Sequence, residues 1–118
     1  MSVPRLHSVV LDCPDPAGLA DFYGRLLDWR PADAEADNSW ATLTGPGGAV
    51  IDFQRAGDYR PPTWPAGERP QMFHLDFDVD DPDAAHERAV GLGASLVDQQ
   101  KSFRVYLDPA GHPFCLCG

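Results

Sequence analysis

The feature that most restricts what this 118-residue chain can fold into is an internal repeat. The segment LHSVVLDCPDPAGLADFYGRLL, starting at Leu6, aligns with MFHLDFDVDDPDAAHERAVGLG, starting at Met72, at an offset of 66 residues, so that Asp15-Pro16 falls on Asp81-Pro82 and Leu26 on Leu92. A second match, at an offset of 63 residues, lays GPGGAVIDF (45–53) on DPAGHPFCL (108–116) and matches Pro46 to Pro109, Gly48 to Gly111 and Phe53 to Leu116. Self-similarity of this kind means two copies of one supersecondary unit.

Each copy reads as a strand, a helix and further strands. Hydrophobic residues alternate in 6–13 and 72–79; in the second run Phe73, Leu75, Phe77 and Val79 fall on one side and His74, Asp76 and Asp78 on the other, as in a half-buried strand. Asp15 and Asp81 precede prolines, which sets a carboxylate at a helix N-cap and Pro at the first helical position, where its missing N–H is harmless. Leu19, Phe22, Tyr23 and Leu26 then form an apolar stripe, while Ala85, Ala89 and Leu92 form a weaker one ending before Gly93. Short strands are expected around 30–32 and at 39–43, 49–54, 95–99, 103–107 and 113–117. The order βαβββ, twice over, places the chain in the α+β class. Repeat one spans about 5–54 and repeat two about 72–118. The linker 55–71 holds four prolines and two glycines and carries Tyr59 and Trp64; the whole forms one domain, 1–118.

Apolar residues at 43% and charged residues at 23% are ordinary for a globular chain, despite 12 prolines and 11 glycines. Nine Lys and Arg against 18 Asp and Glu give a net charge of −9, with no basic cluster, so nucleic acid is excluded as a partner. No run approaches the ~18 apolar residues of a membrane span, and the first residues lack the apolar core of a secretory signal, so a soluble, cytoplasmic protein with no membrane partner is expected. Three cysteines cannot all pair within one chain, and a reducing compartment keeps them as thiols.

Together with the doubled unit and its Asp-Pro helix starts, ADFYGRLLDW (20–29), FHLDFDVDD (73–81) and LDPAGHPFCL (107–116) resemble the vicinal oxygen chelate superfamily. That superfamily includes glyoxalase I, bleomycin-resistance proteins and extradiol dioxygenases, and the chain looks most like its small glyoxalase-like domains. The resemblance implies a curved, mainly antiparallel sheet around a cavity with helices outside, and a homodimer. In the metal-using members the first and last strands of each repeat supply ligands. The first-strand position, seven residues before the helix-opening Asp, is Ser8 in one repeat and His74 in the other; the last-strand position, four residues after the turn glycine, is Asp52 and Cys115. This set departs from the His or Gln and Glu pattern. His7 is one residue off and faces the other way unless a bulge intervenes.

Cys115 and Cys117 lie on one face of a strand together with Pro113. They are small apolar strand residues, or Cys115 is a ligand alongside His74 and Asp52, or it is a reactive thiol with His112 as the only nearby candidate to activate it. The absence of a CxxC or a second cluster argues against a structural zinc site. His74-Leu75-Asp76 has the spacing of an iron facial triad, whose third ligand would come from His7, His86 or His112; His86 falls mid-helix, where exposure is expected. DFDVDDPD (76–83) is not a calcium loop, because its alternation demands a strand. Instead Asp76 and Asp78 share the face of His74. With Asp52 and Asp12 they would make an acidic site suited to a cationic or hydrogen-bond-donating ligand; for a phosphorylated substrate or glutathione adduct only Arg104 is strand-borne. Trp40, Trp64 and Tyr106 are flat walls for an aromatic ligand, or Trp40 and Tyr106 are core residues and Trp64 packs the linker against the sheet. There is no catalytic Ser-His-Asp arrangement, phosphate loop or dinucleotide fingerprint.

Two functions lead, with a metal-free enzyme as the remainder. One is binding of a small organic ligand in the sheet cavity, as in the bleomycin-resistance branch, through Ser8, Asp52, His74, Asp76 and Cys115. The other is a lyase, isomerase or dioxygenase of the glyoxalase type that uses one divalent metal (zinc, nickel, manganese or iron) held by His74, Asp52 and Cys115.

Overall fold

A computed structural model describes residues 2–64 and 66–118. The chain divides into two compact units that meet in sequence at Tyr59 and Arg60. The first contains β1 (Val9–Cys13), α1 (Pro16–Leu27), β2 (Asp33–Ala34), β3 (Trp40–Thr44) and β4 (Val50–Arg55); the second contains β5 (Leu75–Asp78), α2 (Pro82–Gly91), β6 (Ser95–Gln99), β7 (Phe103–Leu107) and β8 (Pro113–Cys117). Each unit builds one four-stranded sheet, ordered β1-β4-β3-β2 and β5-β8-β7-β6. The first strand pairs parallel to the last, β1 on β4 and β5 on β8, and the remaining pairs are antiparallel. The expected βαβββ order is therefore present twice, in two mixed, mainly antiparallel sheets.

Both helices start as the Asp-Pro pairs predict. Asp15 accepts the backbone N–H of Gly18 at 3.1 Å and Asp81 that of Ala84 at 3.2 Å, each satisfying a donor that has no partner inside its helix. Asn38 Nδ2 adds a second donor to Asp15 at 2.8 Å. The turn glycines also repeat: Gly48 and Gly111 have φ of 82° and 91°, a left-handed conformation that suits a residue without Cβ. At the second turn the buried Asp108 accepts the N–H groups of Ala110 and His112 at 2.8 and 3.0 Å, which fixes the entry into β8.

The cores differ in weight. Helix α1 buries Leu19, Phe22, Tyr23 and Leu26, and Tyr23 stacks on Phe53 with ring centroids 6.0 Å apart. Helix α2 buries only Ala89, and its sheet supplies the aromatic packing instead: Tyr106 stacks on Phe114 at 5.5 Å, with the edge of Phe77 at 6.1 Å. Because strand side chains alternate, these aromatics mark the helix-covered face, and Val10, Thr42 and Asp52 in the first unit, like Asp76 and Cys115 in the second, point the other way.

Two boundaries differ from the sequence expectation. Strands β1 and β5 begin three residues late, leaving Leu6, Met72 and Phe73 88%, 90% and 86% exposed, because the ladder extends only as far as the partner strand: Val9 opposes Ile51 and Leu75 opposes Phe114. The strand expected around 30–32 is the two-residue β2, placed where Asp33 and Ala34 meet Thr42 and Ala41.

The Asn38 and Gly18 hydrogen bonds hold the Asp15 carboxyl below its ordinary value of 3.8 against a small opposing effect of burial. A lowered folded value means that the contribution is complete above the unfolded value and is lost as pH falls through the folded one. Asp15→Ala should therefore cost about 1 kcal/mol in urea melts near neutral pH, and less in melts near pH 3. An equal cost at both would show that the carboxylate is not the cap.

Candidate functional site

In the first unit the helix-free sheet face is organised around Asp52. This residue sits mid-strand in β4, opposite Val10 and Thr42, and is only 3% exposed. A buried carboxylate must be given donors. Thr42 Oγ1 and Trp40 Nε1 donate to it, the latter at 3.3 Å, and Ser8 donates from just ahead of β1. Burial pushes the Asp52 carboxyl up, but Ser8, Thr42, Trp40 and the charge of His7 together more than offset it, so the net shift is downward. Asp52 is thus an anion held by hydrogen bonds from three side chains. Trp40 is half-buried, with its indole N–H shared between Asp52 and Thr42 Oγ1, the latter at 3.2 Å.

The second unit gathers different chemistry at the equivalent place. The parallel register sets Asp76 opposite Cys115, and His74 lies one residue before β5. His74 Nε2 is 3.1 Å from Asp76 Oδ1, and one donor atom from each of His74, Asp76 and Cys115 lies within 4.8 Å of the other two. The His74 and Asp76 side chains are 37% and 61% exposed, whereas Cys115 is buried. Burial pushes the Cys115 thiol up to about 12, helped by the charge of Asp76 and a hydrogen bond to it, and then by Cys117 and Asp98. Cys117 is shifted the same way by burial and by Asp76 and Asp78. Burial and the neighbouring carboxylates disfavour the thiolate at both positions, and without a cation Cys115 is a neutral donor to Asp76.

The two repeats can be compared position by position. His74, Asp76 and Cys115 correspond, at the offsets of 66 and 63, to Ser8, Val10 and Asp52. Of the residues expected at the site, Ser8 meets Asp52 within the first unit, and His74, Asp76 and Cys115 meet within the second. Asp76 was expected among the ligand-binding residues and beside His74 in an iron-type triad; its meeting with Cys115 was not expected, and comes from the register of the two strands.

Other candidates are committed elsewhere. His86 is half-buried rather than exposed, because its Nδ1 lies 2.8 Å from the hydroxyl of Tyr106, which reaches it from beneath α2. Tyr106 is a core residue, 0% exposed. Arg104 Nη2 donates to Asp83 at 2.7 Å and Nη1 to the carbonyl of Pro82 at 3.4 Å, which ties the guanidinium to the first turn of α2 and away from the face of Asp76. Among the described residues no helix is long and apolar enough to cross a membrane.

The glyoxalase-like domain matches residues 8–117, and the chain belongs to that family, within the vicinal oxygen chelate superfamily. No curated protein matches the sequence. Solved structures extend the likeness in fold. A possible glyoxalase from Bacillus cereus is 12% identical with a TM-score of 0.74, covering 98% of this chain and 100% of that one. A glyoxalase/bleomycin resistance protein/dioxygenase family enzyme from Burkholderia phytofirmans PsJN is 18% identical with a TM-score of 0.72, covering 93% and 94%. The fosfomycin resistance protein FosX from Mesorhizobium loti is 15% identical with a TM-score of 0.71, covering 98% and 92%.

The raised Cys115 thiol has a direct consequence. In metal-free native protein near neutral pH, iodoacetamide should leave Cys115 unmodified over a time in which free cysteine reacts fully, and should label it after unfolding. Peptide mapping by mass spectrometry reads this; native labelling of Cys115 at the rate of free cysteine would refute the assignment.

Proposed function

We propose that this member of the glyoxalase-like domain family binds a small organic ligand that carries a cationic or hydrogen-bond-donating group. The observation that supports this reading is the acidic character of the sheet face turned away from α2. Asp76 and Asp78 alternate along β5 on that face, while Arg104 is engaged with Asp83 on the other side. In a chain of net charge −9 such a face attracts cations and repels phosphates and carboxylates. Asp76, with a side chain 61% exposed, is the direct contact. Asp52, buried and held by three donors, contributes chiefly through its charge. Binding without chemical change, in the manner implied by the bleomycin-resistance resemblance, requires nothing more of these groups. Assembly as a homodimer belongs to the same reading and is checked by light scattering.

A second reading is favoured by one observation, the convergence of His74, Asp76 and Cys115. A divalent metal held there would supply Lewis-acid chemistry to a substrate with two vicinal oxygens, as in a lyase, isomerase or dioxygenase of the glyoxalase type. The chain's own part would be to hold the cation with an imidazole, a carboxylate and a thiolate, and to leave solvent access beside His74.

Thermal shift separates the ligand classes. An aromatic quaternary ammonium compound at a hundredfold excess over its Kd should stabilise the protein by about 2.7 kcal/mol, with an anionic aromatic of similar size giving no shift. Asp76→Asn should abolish most of the difference. Equal shifts from the cationic and anionic compounds would overturn the reading.

A further inference from the structure

We infer that the second unit by itself carries a zinc site, formed by the His74 imidazole, the Asp76 carboxylate and the Cys115 sulfur. The inference rests on the metal reading above and deepens it by naming the ion, the confinement of its ligands to one repeat and the stoichiometry; it does not depend on organic-ligand binding. It also differs from the set that the family resemblance implies, which draws ligands from both repeats and includes Asp52.

The placement follows from backbone pairing. Asp76 and Cys115 are register partners in adjacent parallel strands, and the i, i+2 spacing brings His74 to the same side as Asp76. Their donor atoms already lie within 4.8 Å of one another, with His74 and Asp76 at 3.1 Å. Zinc bonds of roughly 2.0–2.3 Å place tetrahedral donors about 3.3–3.8 Å apart, so an adjustment of about 1 Å closes the triangle. The partly exposed His74, outside the ladder, can make that adjustment.

The donor chemistry selects the ion. Thiolate with imidazole favours zinc, and carboxylate is an accepted third ligand. On binding, the Cys115 thiol gives its proton to solvent, and the thiolate and carboxylate together neutralise the cation. Three protein ligands, two of them partly exposed, leave a fourth position open to water or substrate oxygen, as in catalytic rather than structural zinc sites. The first unit cannot duplicate the site, because Ser8 and Val10, neither an imidazole nor a carboxylate, stand where His74 and Asp76 do. One ion per chain follows.

The test uses full-length protein purified without an affinity tag, stripped with chelator and titrated with zinc by calorimetry and with cobalt by absorption. About one equivalent per chain should bind, and cobalt should show a sulfur-to-metal charge-transfer band. Asp76→Asn and Cys115→Ser should each weaken zinc by at least the roughly tenfold that loss of even an outer-shell partner costs, with the band absent in Cys115→Ser. Asp52→Asn, which removes only a charge outside the ligand set, should weaken zinc far less than Asp76→Asn does. Circular dichroism checks folding; if Cys115→Ser is unfolded, Asp76→Asn, altered at an exposed side chain, carries the comparison. No uptake by the wild type, cobalt binding without the band, or an Asp52→Asn loss equal to that of Asp76→Asn would each overturn the proposal. Because the probe is metal alone, failure here leaves the organic-ligand reading standing, and success does not establish it.

Discussion

The parallel pairing of the first strand of each repeat with its last is the constraint on which the site depends. Within β5 and β8 it fixes Asp76 beside Cys115, residues 39 positions apart in sequence, and within β1 and β4 it fixes Val10 beside Asp52. A parallel pair cannot be closed by a hairpin and needs a long connection. The helix and two intervening strands supply it, and the helix covers one sheet face while leaving the other for polar chemistry. The Asp-Pro helix starts and the positive-φ turn glycines matter because they hold the lengths of these connections, and hence the register.

On that common frame the two repeats have become chemically unlike. The first pairs a heavy helix, α1, with a sheet face whose buried carboxylate accepts hydrogen bonds from Ser8, Thr42 and Trp40. The second has a light helix, with only Ala89 buried, and an exposed imidazole and carboxylate beside a buried thiol. A satisfied buried anion stabilises a fold and offers little to a ligand, whereas exposed donors around a thiol offer coordination. The division of labour is a matter of three substitutions at equivalent positions: Ser8 against His74, Val10 against Asp76, and Asp52 against Cys115.

Much of the fold was legible because its signals are local. Asp15 and Asp81 cap their helices, Gly48 and Gly111 turn the chain, and strands β6, β7 and β8 occupy the expected residues. What sequence did not show depends on partners far away along the chain. Alternation extended β1 and β5 over Leu6, Met72 and Phe73, which have no ladder to join. His86 read as exposed because its partner, the Tyr106 hydroxyl, lies 20 residues away. For the site, the ligand-type positions His74 and Cys115 were found through the family pattern and Asp76 through the strand face it shares with His74, but its placement beside Cys115 required the β5–β8 register.

The measurement that tests this account most directly is the zinc-edge X-ray absorption spectrum of the reconstituted protein. The account predicts a first shell with one sulfur and the remainder nitrogen and oxygen, with the sulfur lost in Cys115→Ser. A shell of nitrogen and oxygen alone would show that Cys115 does not bind the metal and that the β5–β8 pairing does not create the site.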